Sequence, residues 1–290
     1  MLFIMKKTKE ELAKIYLDTL ETIQIGGYEN NDGNWVELTN PLKGSRFYQT
    51  TPAIKDEIKK FAETKIYVEN IDTFQKAKKM GPTCVVLNMA SFIRPGGGVE
   101  RGSRAQEEDL CRRSNLLQSL YAFSPEKCSL LNYSTPGRLK YPIPMYGGIY
   151  SPNITVFRNA LSYSYMNIPF TCSVISVAAL RNPEIDSKTG ELTEQGSTVM
   201  KGKIRAILRI AILNKHSKLV LGALGCGAYH NPPRHVARLF KEVLEEKEFK
   251  NSFSEICFAI LEDGNSLKNQ AGGNIKPFKE VFDYVYNNRD

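Results

Sequence analysis

Strand-length segments that are apolar on both alternating faces constrain this chain most. "TCVVLNMA" (83–90), "FTCSVISVAA" (170–179), "KLVLGAL" (218–224) and "EICFAIL" (255–261) run almost without a polar break. A strand with one wet face alternates apolar and polar residues, whereas one buried on both faces does not. Such strands need helices on each side, and the chain supplies them between the strands. "DTFQKAKKM" (72–80), "STVMKGKIRAILRIAILNKH" (197–216), "RHVARLFKEVLEEKEF" (234–249) and "PFKEVFDYVYN" (277–287) have helical spacing, and "KIYVEN" (65–70) and "NITVF" (153–157) add strands. The pattern predicts an α/β sheet covered on both faces.

The N-terminal part reads differently. Leu12, Ile15, Tyr16, Leu20 and Ile23 share one helical face over residues 6–23, Asp32-Gly33 marks a tight hairpin, and a second helix is expected over Pro52–Phe61. Residues 1–62 are therefore expected to be a helical and hairpin extension packed on a main body of residues 63–290. With 42% hydrophobic and 24% charged residues, a sizeable core is expected. No apolar stretch reaches the ~20 residues that span a bilayer, and "MLFIM" followed by two lysines is too short for an export signal. The expectation is no membrane. Cys84, Cys111, Cys128, Cys172, Cys226 and Cys257 are scattered without a C-x-x-C pair, a usage that points to reduced thiols and a cytoplasmic protein. The net charge of +8 fits a polyanionic ligand or a generally basic surface equally well.

Two glycine loops follow buried strands. After "VVLNMA", Pro95 stiffens the backbone and Gly96-Gly97-Gly98 removes three Cβ atoms, more freedom than a plain turn needs. The second loop, "LGALGCGAYHNPP" (221–233), spaces Gly222, Gly225 and Gly227 between a strand and a helix. Its order is not that of a dinucleotide fingerprint, and no Walker lysine follows. It reads as a backbone cradle for a diphosphate, or as a connection packed for steric reasons.

Gln106-Glu107-Glu108 opens the helical stretch that continues as "DLCRRSNLLQSLYAF". Acidic residues in a first turn complement the helix dipole. Glycosidic cleavage also requires a carboxyl that protonates a departing oxygen and then accepts a proton from water. Adjacent helical residues point about 100° apart, so one carboxylate would transfer the proton while its neighbour positions it or the substrate.

Taken together, "LNMASFIRPGGGVERGSRAQEE" resembles the signature of the poly(ADP-ribose) glycohydrolases, closest to their microbial type. "LDTLETIQIGGYENNDGNWVEL" and "LGALGCGAYHNPP…VARLFKEVL" are similar to the same group. The resemblance implies a three-layer α/β/α macrodomain-like mixed sheet with an N-terminal helical extension. It implies hydrolysis of the ribose–ribose O-glycosidic bonds of poly(ADP-ribose) on modified proteins, with ADP-ribose as product. Glu108 would be the general acid/base and Glu107 would fix the ribose hydroxyls, beside Gln106 of the same motif. Asn88 would contact the distal ribose and Gly96, Gly97 and Gly98 would wrap the scissile unit. Gly225, Cys226, Gly227, Ala228 and Tyr229 would hold the diphosphate, Tyr229 packing over the distal ribose where phenylalanine is common in the group. Asp72 would read the adenine edge.

No metal or cofactor is expected. His216, His230 and His235 are not paired on a helix, and there is no cluster of aspartates. A thiol mechanism through Cys226 would need His230 as its base. Other readings are a macrodomain that binds ADP-ribose without cleaving it, and a hydrolase of single ADP-ribose units on protein or nucleic acid. Direct nucleic-acid binding is disfavoured, because acids interrupt the arginines of "RGSRAQEEDLCRR".

Overall fold

The computed structural model describes residues 7–134, 137–262 and 273–282. Its elements are α1 (Lys9–Ile25), β1 (Gly27–Glu29), β2 (Trp35–Glu37), β3 (Arg46–Tyr48), β4 (Lys65–Glu69), α2 (Thr73–Met80), β5 (Cys84–Ala90), α3 (Gln106–Arg113), α4 (Leu116–Tyr121), β6 (Gly148–Arg158), β7 (Tyr165–Ala178), α5 (Glu194–Leu213), β8 (Lys218–Leu221), α6 (Pro233–Glu245), β9 (Glu255–Ala259) and α7 (Ile275–Phe282). The end of the helix expected to reach residue 287 lies outside the described residues.

Seven strands form one sheet in the order β3-β6-β7-β5-β8-β9-β4, parallel from β7 to β4 and antiparallel at the β3-β6-β7 end. Alternate residues of each strand supply opposite cores. Val85 and Leu87 of β5, Leu219 and Leu221 of β8, and Ile256 and Phe258 of β9 pack with α5, α6 and α7. Val86, Val220 and Cys257 face the layer of α1 to α4. All six cysteines are buried free thiols. Among the described residues no helix is long and apolar enough to cross a membrane.

The N-terminal segment is built into this body. β3 is the edge strand paired with β6, and Tyr16, Leu20, Ile23 and Phe47 lie in the same buried cluster as Val86. α1 begins with a reciprocal Thr8–Glu11 capping box and lies behind the glycine triplet. Arg112 of α3 is fully buried, donating from Nε to the Leu12 carbonyl (3.1 Å) and from Nη2 to those of Val99 (3.4 Å) and Ser103. The Thr19 hydroxyl donates back to the Arg112 carbonyl at 2.7 Å. Helix and loop meet so closely that a Cβ on Gly102 (φ +69°) would lie 2.0 Å from the Lys9 carbonyl oxygen.

Two expected helices differ. Pro52–Phe61 forms no helix. None of its residues is buried, so no apolar face drives helix formation. Instead the Phe61 N–H donates to Asn251 (2.7 Å) and Lys60 Nζ reaches the carbonyls of Glu248 (2.7 Å) and Lys250 (2.9 Å) beyond α6. The single helix expected through residue 123 is two, broken where Ser114 is extended (φ −149°, ψ 172°) and bridges Val156. Asn115 holds the break, accepting from the Thr155 N–H (2.8 Å) and donating to the Thr39 carbonyl (2.7 Å).

Candidate active site

β5 delivers the chain to the C-terminal edge of the parallel strands, where ligands of open α/β sheets bind. The chain turns through Gly96 (φ 76°) and Gly97 (φ 59°), makes one 3-10 turn at Val99–Arg101, and enters α3 at Gln106. No side chain caps α3 at Ala105. Instead the Gln106 Oε1 accepts from the Met89 N–H (2.9 Å), and its amide donates to the Leu87 carbonyl (2.8 Å) and the Thr73 hydroxyl (3.3 Å). Both ends of the Gln106 amide are thus taken up in fastening α3 to β5, which sets the next two residues over the glycine loop.

Glu107 and Glu108 are both buried, at 3% and 8% exposure. Glu107 accepts three hydrogen bonds, from the Ser91 N–H (2.7 Å), the Gly96 N–H (3.2 Å) and Asn88 Nδ2 (3.4 Å). Burial pushes its carboxyl up to about 8; the N–H donors pull the other way, and the adjacent Glu108 charge adds to the rise. Glu108 accepts one bond on Oε1, from the Gly98 N–H at 2.8 Å, while its Oε2 is buried with no partner. Asn88, fully buried, also donates to Ser176 of β7 (3.0 Å) and leaves its Oδ1 unpartnered. A buried acceptor left unsatisfied costs about 1–3 kcal/mol, and two of them face one site here.

The glycine triplet is packed against the two acids. Its N–H groups point at the acids: Gly96 at Glu107, Gly98 at Glu108, with Gly97 closing the turn on the Arg94 carbonyl (2.8 Å). A Cβ on Gly97 would stand 2.5 Å from Glu108 Oε1 and 3.0 Å from Glu107 Oε2. Gly97 is glycine because the two carboxylates occupy the space a side chain would need, whereas a Cβ on Gly96 would meet Leu117 and one on Gly98 would meet Ser103.

The second loop keeps its backbone donors outward. The N–H groups of Cys226, His230 and Asn231 are used in turns inside the loop, whereas those of Gly225, Gly227, Ala228 and Tyr229 have no partner among the described residues. Asn231 fixes the loop by donating to the carbonyls of Leu180 (2.7 Å) and Gly225 (3.0 Å). Gly227 has open space where a Cβ would project. Cys226 is buried in the core, its thiol pushed up by burial, which removes it as a nucleophile. Tyr229 is half-buried, and burial raises its phenol, with the neighbouring Ser91 of the first loop opposing the rise.

Asp72 caps α2 through the Gln75 N–H (2.9 Å) and holds Arg113 with both oxygens (2.8 and 3.1 Å). Arg113 is itself buried and also bound to Asp109 (2.7 Å), which accepts from Tyr163 (2.6 Å). The burial of Arg112 carries no local signal in the sequence, since its Nε partner lies 100 residues away. Asn231 carried one, the Asn-Pro step that marks a turn.

Residues 17–159 match the microbial-type PARG catalytic domain. The poly(ADP-ribose) glycohydrolase (PARG) of Thermomonospora curvata has a similar structure, with TM-score 0.76 and 26% identity over 94% of this chain and 100% of that one. This chain belongs to the microbial-type PARG family. The same T. curvata protein bound to the inhibitor ADP-HPD aligns at TM-score 0.75 and 26% identity, over 94% and 100% of the two chains. The Deinococcus radiodurans PARG in complex with ADP-ribose aligns at 0.63 and 26%, over 84% and 96%. No curated protein sequence matches significantly.

In this PARG the buried Glu107 has a consequence for stability. Below its ordinary value of 4.5 both folded and unfolded chains hold the proton. From there to about 8 the unfolded chain releases it while the folded one keeps it, so stability falls as pH rises. The Glu107 contribution is on the order of a few kcal/mol at the upper end. Melting temperatures from pH 5 to 8 should fall more steeply for wild type than for Glu107→Gln. The amide of the variant opposes one N–H donor and lowers its absolute stability, so the slope is what is read. Parallel curves would refute the assignment.

Proposed function

We propose that Glu108 is the general acid/base with which this protein, a poly(ADP-ribose) glycohydrolase, hydrolyses the ribose–ribose O-glycosidic bonds of its polymer. The observation that carries this is the Oε2 of Glu108: buried, unpartnered, and held in place from the other oxygen by the Gly98 N–H. It is the free edge of a carboxyl pair whose other member is saturated by donors.

The terminal ADP-ribose lies along the loop of residues 225–229, its diphosphate on the outward N–H groups and its distal ribose between Asn88 and Tyr229. Asn88 Oδ1 accepts a hydrogen bond from a hydroxyl of that ribose, and Glu107 holds Asn88 and the first loop in register. The Glu108 proton passes to the departing ribose oxygen as the bond to the anomeric carbon breaks and its electron pair leaves with that oxygen. The ring becomes oxocarbenium-like, and the nearby diphosphate stabilises the positive charge. Water then adds to the anomeric carbon and returns a proton to Glu108, restoring the acid. The carriers are poly(ADP-ribosyl)ated proteins of the cytoplasm, a reading supported by six free, buried thiols.

The test is release of ADP-ribose from a poly(ADP-ribosyl)ated protein, with a mono-modified protein as control. Release from the polymer alone is expected. Binding of ADP-ribose by calorimetry with no release from either would make the protein a reader and overturn the proposal.

A further inference from the structure

A cavity of about 170 Å³ lies against Gly97 and Gly98 and is lined by Ile93, Arg94, Arg101 and Lys127. The sheet order β6-β7-β5-β8 sets its position. The loop of residues 222–232 continues β8, on one side of β5. Residues 126 and 127 follow α4, which packs on β6, on the other side. The carboxyl pair therefore stands between the outward N–H groups of the second loop and this cavity. Lys127 is paired with Glu100, and Glu126 also borders the space, but the exposed Arg94 and Arg101 have no acidic partner among the described residues. Beside them Phe92 and Ile93 are about half exposed, at 45% and 52%. Free guanidinium groups next to exposed apolar side chains suit a chain of nucleotides, which offers a phosphate to the first and a base or sugar face to the second.

We propose that this cavity is a second subsite, taking the ADP-ribose unit on the departing side of the scissile bond. The inference rests on the function proposed above. With the released unit on loop 222–232 and the bond at Glu108, the rest of the polymer leaves across the triplet. Arg94 and Arg101 then meet the diphosphate of its next unit, and Phe92 and Ile93 its nucleoside. The cavity is too small for a whole nucleotide, so only part of that unit is enclosed and the rest stays in solvent.

The test compares two substrates of the full chain: poly(ADP-ribose), and a single ADP-ribose carrying a small aryl group at the distal anomeric oxygen. In an Arg94→Glu/Arg101→Glu double variant, KM for the polymer should rise about tenfold and its dependence on salt should flatten. Turnover of the aryl substrate should stay within about twofold. Equal loss on both substrates, or no change on either, overturns the subsite. If the polymer KM is unmoved while the variant loses competition by single-stranded DNA, the patch is a nucleic-acid surface and the proposal fails. A wild type that turns over the aryl substrate but not the polymer removes the polymer reading itself, and the subsite with it.

Discussion

Replacing Glu108 with glutamine should slow ADP-ribose release about 10²- to 10⁴-fold while ADP-ribose affinity stays within a few-fold. Glutamine keeps the length of the side chain, and its carbonyl oxygen can still accept the Gly98 N–H that now binds Oε1 at 2.8 Å. What it lacks is an acidic proton to give at the Oε2 position. Single-turnover release measures the rate and calorimetry the affinity. Equal loss of both would make Glu108 a binding residue and would sink the catalytic assignment.

Gly97→Ala should lower kcat by about 10²-fold with a modest loss of stability. The left-handed backbone of Gly97 (φ +59°) costs an alanine about 1–2 kcal/mol. The larger effect is chemical: the new Cβ would stand 2.5 Å from Glu108 Oε1, so the acid must move, and small misplacements at a reacting group cost rate more than binding. The N–H groups of Gly225, Gly227, Ala228 and Tyr229 lie on another loop, so KM should change little. Gly96→Ala makes the useful contrast, because its Cβ would meet Leu117 at 2.9 Å and Val99 at 3.2 Å, both core side chains. A Gly97→Ala enzyme with wild-type kcat and unshifted melting temperature would show that the acid pair has slack the geometry denies.

Much of the fold was legible because burial on both sheet faces writes itself as continuous apolar strands. Val85-Val86-Leu87 in β5 and Leu219-Val220-Leu221 in β8 divide between the two cores residue by residue. The acid pair and both loops could be found because their residue types are chemically unusual at those spacings. The direction of the triplet's N–H groups could not be read. Glycine allows either a ligand or a neighbouring side chain to come close, and only the structure shows that Glu107 and Glu108 fill the space at Gly97. The break at Ser114–Asn115 was hidden because the competing partner of Asn115 is Thr155 of β6, whose hydrogen bonds outweigh the helical spacing around them. The burial of Arg112 and Arg113 was hidden for the same reason, since charge in a sequence carries no mark of burial.

The position of α1 bears on how such a site comes into being. Arg112 reaches a carbonyl 100 residues upstream, and Thr19 returns a bond across 93. Pairings this remote carry a large loop-closure entropy, so they form after the local turns rather than before them. Until that distant helix has settled, the three carbonyls gathered by Arg112 have nothing to gather them, and the turn from Gly96 to Ser103 has no fixed wall behind it. Hydrolytic competence is then expected late in folding, and fraying of the first helix is expected to remove it before the sheet opens.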